Sequence, residues 1–217
     1  MRTKQEDVNG LFNLILGKIS GLNYTYRFSG TRKIKEQSVS EHSYWTAKIA
    51  GSLARYENKM RKENGIIEAN INLALVYEHA LYHDDEEVIT GDINHVFKHH
   101  PEGRNFRYEL NLLIKKNVVD LFENLLLGKY FYSVWETSHD DNEITFLIKM
   151  GDWLQLLQYS IEEIKFGNKE FEKVKERVIG LLNEKNDIEL NNNRLYYVPS
   201  LIKEFLEVLE IIDSKER

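Results

Sequence analysis

Four side chains are polar at positions where helical spacing calls for apolar ones. His42 falls on the face of Val39, Thr46 and Ile49, at steps of three, four and seven residues. Val76, His79, Ala80 and His83 share a face of a second helix, and Ile144, Ile148 and Asp152 share a face of a third. A buried carboxylate without a partner is costly. Asp152 therefore needs a cation, or it faces solvent; Gly151 beside it permits close approach of another helix. The run His83-Asp84-Asp85-Glu86-Glu87 sets four carboxylates in a row, either as a solvated face or around a compensating cation. If the helix continues through it, His83, Asp84 and Glu87 (i,i+4 and i,i+3) point into one small volume. Together His42, His83, Asp84 and Asp152 compose a set of two imidazoles and two carboxylates suited to a divalent transition ion, with positions left open for water and substrate.

Other motifs fall away on chemical grounds. His79 and His83 have the spacing of a zincin helix, but Ala80 stands where the general base must be, which excludes a metalloprotease. His79 taken alone reads as a hydrogen-bonded core residue. His95, His99 and His100 read as solvent-exposed loop residues. No Walker A, no G-x-G-x-x-G and no G-x-S-x-G occurs.

The elements that must position these residues are helical. Period-2 alternation and hairpin dipeptides between alternating runs are missing, and apolar residues recur at helical spacing. Helices are expected over 7–20 (face Val8, Leu11, Phe12, Ile15, Ile19), from Val39 behind a Ser38-x-x-Glu41 capping box, over 67–82 as an apolar central helix, and over 105–127. Further helices are expected over 141–166, started by Asp140 or Asp141 and stopped by Gly167, over 169–185 behind Asn168, and over 199–212 with Pro199 in the first turn. Asn191–Asn193 and the polar stretch 92–104 read as loops.

Composition bounds the function. The 217 residues, 42% hydrophobic and 29% charged, suit one globular domain over 1–217 rather than a disordered chain. Absence of cysteine removes disulfide scaffolds, thiol nucleophiles and iron–sulfur clusters. A net charge of −6 disfavours a nucleic-acid polymer as partner. The polar MRTKQEDVNG start and the lack of a long apolar run predict neither export nor a membrane partner, hence a cytoplasmic location.

His42, His83-Asp84 and Asp152 on helices resemble the HD-domain metal-dependent phosphohydrolases. Ser40-Glu41-His42-Ser43, followed by Tyr82-His83-Asp84-x-x-Glu87-Val88-x-Thr90-Gly91-Asp92, is similar to the bacterial HD-domain 5′-deoxynucleotidases. Arg27 lies 15 residues before His42, Asp152 lies 68 residues after Asp84, and Lys98 follows the Thr-Gly-Asp, all as in that group. The likeness covers about residues 27–160, with the C-terminal helices of 168–212 packing on that part.

The resemblance implies an all-α, single HD-domain helical bundle that hydrolyses nucleoside 5′-monophosphates, deoxynucleotides preferred, to nucleoside and orthophosphate. Carried over by position, His42, His83, Asp84 and Asp152 hold one divalent ion. Mn²⁺ or Co²⁺ is expected first, with Mg²⁺, Zn²⁺, Fe²⁺ or Ni²⁺ as alternatives. Glu87 is the catalytic acid/base, Arg27 grips the phosphate, Asp92 contacts the sugar, and Phe28 and Lys98 complete the substrate site. A phosphate monoester dianion resists attack, so charge neutralisation and a positioned nucleophile are what such a site must supply. Phe28 stands where the group has Trp, which opens the question of ribose rejection. The prolines usual before the Lys are replaced by Ile93–Phe97. The alternative is a dNTP triphosphohydrolase, for whose longer phosphate chain Arg32, Lys33, Lys35 and Lys98 are the available cations. A non-catalytic nucleotide sensor is the reading outside enzymology, and a homodimer is the expected assembly.

Overall fold

The structure is a computed structural model that describes residues 3–66, 70–93, 104–192 and 194–216. Among the described residues there are helices and no β-strand, only an isolated antiparallel bridge between Tyr26 and Ser38. The elements are α1 (Lys4–Leu16), a 3-10 helix (Lys18–Asn23), α2 (Val39–Glu63), α3 (Leu73–Tyr82), α4 (Glu87–Thr90), α5 (Arg104–Glu123), α6 (Gly128–Thr137), α7 (Glu143–Lys165), α8 (Phe171–Asn192) and α9 (Val198–Glu216). The all-α expectation holds.

Two compact units can be distinguished. The first comprises the described residues of 1–44 and 81–139, the second those of 45–80 and 140–217. In the first, Val118, Phe122, Leu125 and Trp135 form an apolar cluster with Leu14, Tyr82, Phe131 and Tyr132 against it. In the second, a larger core takes Ala50 and Ala54 from α2, Val76 and Ala80 from α3, Phe146, Leu147 and Met150 from α7, Leu182 from α8, and Ile202 and Leu206 from α9.

Helix ends follow local chemistry. Ser38 Oγ accepts from the Glu41 N–H at 3.1 Å, so α2 starts at the expected cap and delivers His42 on its first turn. Asn142, not Asp140 or Asp141, caps α7: its carboxamide oxygen accepts from the N–H groups of Ile144 and Thr145, and Thr145 closes the capping box. Gly151 on α7 does allow a close approach. A Cβ there would stand 2.8 Å from the Thr46 carbonyl oxygen and 3.1 Å from the Ala50 Cβ, so only glycine lets α7 lie this near α2.

Several expected boundaries move. The helix expected over 7–20 stops at Leu16, and Val8, Leu11, Phe12 and Ile15 are exposed. Its inner side is instead Gly10, where a Cβ would meet the Leu126 backbone nitrogen at 2.6 Å. The central helix begins at Leu73 because Asn72 caps it, with 67–69 outside the described residues; Leu75 and Leu81 face solvent, so it is not buried all round. The span 105–127 ends at Glu123, and a second helix, α6, follows after Leu127, whose φ of 57° is left-handed and cannot continue an α-helix. Asn191 and Asn192 belong to α8: the Asn191 carboxamide bonds back to the Asp187 carbonyl at 2.9 Å instead of opening a turn.

The start of α9 is held by a buried carboxylate in the second unit. Glu57 accepts from the backbone N–H groups of Tyr196, Tyr197 and Val198 at 2.8–2.9 Å and from Arg61 Nε at 2.9 Å. Glu57 and Arg61 are both fully buried, so the charge of each is matched by the other.

Candidate metal centre and phosphate site

The His83-Asp84 pair does not lie on a continuing helix. α3 ends at Tyr82, residues 83–86 form a turn, and the short α4 starts at Glu87. The turn is tied by the Glu87 N–H donating to the Asp84 carbonyl at 3.0 Å and the Asp85 N–H to the Tyr82 carbonyl at 3.2 Å. It aims His83 and Asp84 at the first turn of α2. His42 is fully buried, and its ring centroid lies 5.6 Å from that of His83.

Asp84 Oδ2 is the hub. It stands 3.6 Å from His42 Nε2, 3.3 Å from His83 Nε2 and 3.2 Å from Arg27 Nη1. One ligand atom from each of His42, His83 and Asp84 lies within 4.8 Å of the other two. Two imidazoles and a carboxylate converging in a largely buried space are the donor chemistry of a borderline divalent ion, so these residues fit the metal that the sequence implies. Two neighbouring carboxylates of the run are also shifted by burial. Asp85 is buried, and its Oδ2 has no hydrogen-bond partner among the described residues. Burial pushes the Asp85 carboxyl well above the usual carboxylate range, and the charges of Glu86 and Asp84 add to the shift. Burial also raises Glu86, followed by the charge of Asp84, although Trp135 Nε1 donates to it at 2.8 Å. The acidic run is therefore not a solvated face.

The remaining predicted residues fall into four groups. Glu87 is buried at the start of α4, directly after the turn that carries the His-Asp pair. Phe28 and Asp92 are brought together: the Phe28 N–H donates to the Asp92 carboxylate, and Ser29 Oγ donates to the Asp92 carbonyl at 3.2 Å. Asp152 belongs to α7 in the second unit, where it is buried and accepts from Lys149 Nζ at 2.7 Å. Lys149, its i,i+3 neighbour, is thus one cation beside it, a pairing that the sequence reading did not name. Lys98, with His95, His99 and His100, lies outside the described residues. His79 is buried on α3. The sequence reading missed the Trp135–Glu86 bond, because α6 was not expected as a separate helix.

The fold is that of the HD-domain phosphohydrolases. The chain is similar in structure to an HD-domain phosphohydrolase from Listeria innocua, with a TM-score of 0.67 and 22% identity over 90% of this chain and 86% of that one. A conserved hypothetical protein from Pyrococcus furiosus is also similar, with a TM-score of 0.62 and 20% identity over 89% of this chain and 97% of that one. Within that class the assignment narrows. Residues 15–201 match the YfbR-like 5′-deoxynucleotidase family, and the chain belongs to that family. It is 30% identical over 182 residues to a 5′-deoxynucleotidase of Photorhabdus laumondii, covering 83% of this chain and 89% of that one. It is 29% identical over 190 residues to a 5′-deoxynucleotidase of Yersinia pseudotuberculosis, covering 84% and 89%.

Proposed function

We propose that this protein hydrolyses nucleoside 5′-monophosphates, deoxynucleotides preferred, to nucleoside and orthophosphate. The observation that carries the reading is the convergence of His42, His83 and Arg27 on one oxygen of Asp84, in a chain of the 5′-deoxynucleotidase-like family. The metal ligands would be His42, His83 and Asp84, with Asp152 as the fourth. Mn²⁺ or Co²⁺ is the ion expected. When bound, a divalent ion supplies charge neutralisation at the phosphate and eases deprotonation of the attacking water.

The protein groups account for the rest. Arg27 offers a planar fork to the phosphate beside the ligand cluster, which neutralises charge and holds the phosphorus in line for attack. Glu87 takes the proton of the attacking water and returns it to the 5′ oxygen as the bond from that oxygen to phosphorus breaks. The products are the free 5′ hydroxyl and orthophosphate, so atoms and charge balance without another reactant. Phe28, next to Arg27 in the chain, and Asp92, which accepts from the Phe28 N–H, are candidates for the sugar side. A cytoplasmic homodimer completes the reading; no described helix is long and apolar enough to cross a membrane, and light scattering tests the assembly.

Family membership supports a monophosphate over a dNTP substrate. The test is orthophosphate release from each of the four dNMPs by protein loaded with Mn²⁺ or Co²⁺. Turnover of dNMPs supports the proposal, and inert dNMPs overturn it.

A further inference from the structure

Between Tyr26 and Ser38 the chain loops out and closes on itself. The Tyr26–Ser38 bridge shuts the loop, the Arg27 N–H donates to the Gln37 carbonyl at 2.9 Å, and the Val39 N–H donates to the Thr25 carbonyl at 2.8 Å. The Lys33 side chain folds back inside. Its ammonium donates to the Arg27 carbonyl at 2.6 Å, lies 3.4 Å from the Glu36 carboxylate and stands 5.7 Å from the centre of the Tyr26 ring. Only 12% of the Lys33 side chain is exposed, in contrast to the solvated lysine a basic loop would suggest.

The Arg27 carbonyl and the Phe28 N–H belong to the same peptide group. That one peptide is therefore held from both sides by charge, with the Lys33 ammonium on its oxygen and the Asp92 carboxylate on its N–H. Phe28, immediately after it, has a φ of 57°, a conformation that an aromatic L-residue rarely adopts and keeps only when its surroundings impose it.

We propose that Lys33 is a positioning residue for Arg27: with Asp92 it clamps the Arg27–Phe28 peptide so that the guanidinium is already aimed at the phosphate before substrate arrives. The inference rests on Arg27 being the phosphate grip. It also gives Lys33 a task other than binding a longer phosphate chain. A side chain that loses its freedom before binding binds its ligand more tightly, and a fixed electrophile reacts faster.

The test compares K33M, K33Q and K33R with R27A and the double variant R27A/K33M, all loaded with Mn²⁺. Read out are kcat and KM for a dNMP, the inhibition constant of orthophosphate, the thermal midpoint, and Co²⁺ binding by absorbance. K33M and K33Q are expected to raise KM and the orthophosphate inhibition constant by about tenfold, the size of one lost charged hydrogen bond, with Co²⁺ binding and the thermal midpoint unchanged. K33R restores most of the loss, and R27A/K33M is no worse than R27A, because Lys33 acts only through Arg27. Losses that multiply in the double variant overturn the clamp. So does a fall in thermal midpoint shared by K33M and K33Q, which makes Lys33 a stability residue. A damaging R27A with a silent K33M overturns the clamp alone, whereas a silent R27A removes the phosphate grip and the clamp with it.

Discussion

Arg27 Nη1 and Asp84 Oδ2 stand 3.2 Å apart, so the residue assigned to the phosphate and a residue assigned to the metal meet at one oxygen. Their side chains are 14% and 16% exposed, a setting in which charge is screened less than at the surface. Under the proposed roles this contact couples the two: phosphate and metal would be presented to each other rather than bound in separate places. R27A is expected to raise KM and lower kcat together, because in the proposed site the same guanidinium both binds the phosphate and orients phosphorus. R27K keeps the charge but loses the two-pronged geometry, and recovers only part of the loss. Steady-state kinetics on a dNMP checks both; an R27A that changes KM alone would make Arg27 a binding residue only.

Removal of the metal is expected to abolish turnover. Chelation should reduce phosphate release to background, and Mn²⁺ or Co²⁺ should restore it. D84N should bind less metal, measured by elemental analysis, since it loses the carboxylate at the hub of the cluster. Full activity in metal-stripped protein would refute the ligand assignment.

Glu87 is buried directly after the turn that carries His83 and Asp84, on α4. E87Q preserves shape and removes proton transfer. It should lower kcat by roughly 10²–10⁴-fold while metal content stays that of the wild type. Loss of metal together with activity would instead place Glu87 among the ligands.

Stability in the second unit depends on a different carboxylate. E57A leaves the fully buried Arg61 without its carboxylate partner at 2.9 Å and strips the acceptor from three N–H groups at the start of α9. The expected cost is about 3–5 kcal/mol, measured by denaturant unfolding. A loss under about 1 kcal/mol, the size of an exposed ion pair, would show that solvent reaches the site.

Sequence alone carried the helical class and the start of α2, because caps and periodicity are local, and it singled out His42, His83 and Asp84, which the structure brings together. Ser38 caps α2 as its spacing demands, and Gly151 marks the close approach of α7 to α2. The break at 83–86 was not legible: four acidic residues are compatible with a helix, and only their burial rules out a solvated face. α6 was hidden because its separation from α5 depends on a left-handed Leu127, a residue type that gives no warning of such a turn. In the sequence Lys33 is one of the cations available to a longer phosphate chain; its bond to the Arg27 carbonyl is a contact across six residues that no periodicity encodes.

The central claim, a metal-dependent attack on a monophosphate, is tested most directly by product analysis. The Mn²⁺- or Co²⁺-loaded protein is offered a panel of deoxy- and ribonucleoside mono- and triphosphates, and orthophosphate and triphosphate are quantified separately. The account predicts orthophosphate and deoxynucleoside from dNMPs, weaker rejection of ribonucleotides than a tryptophan at position 28 would give, and no triphosphate. Release of intact triphosphate from dNTPs, with dNMPs inert, would contradict it.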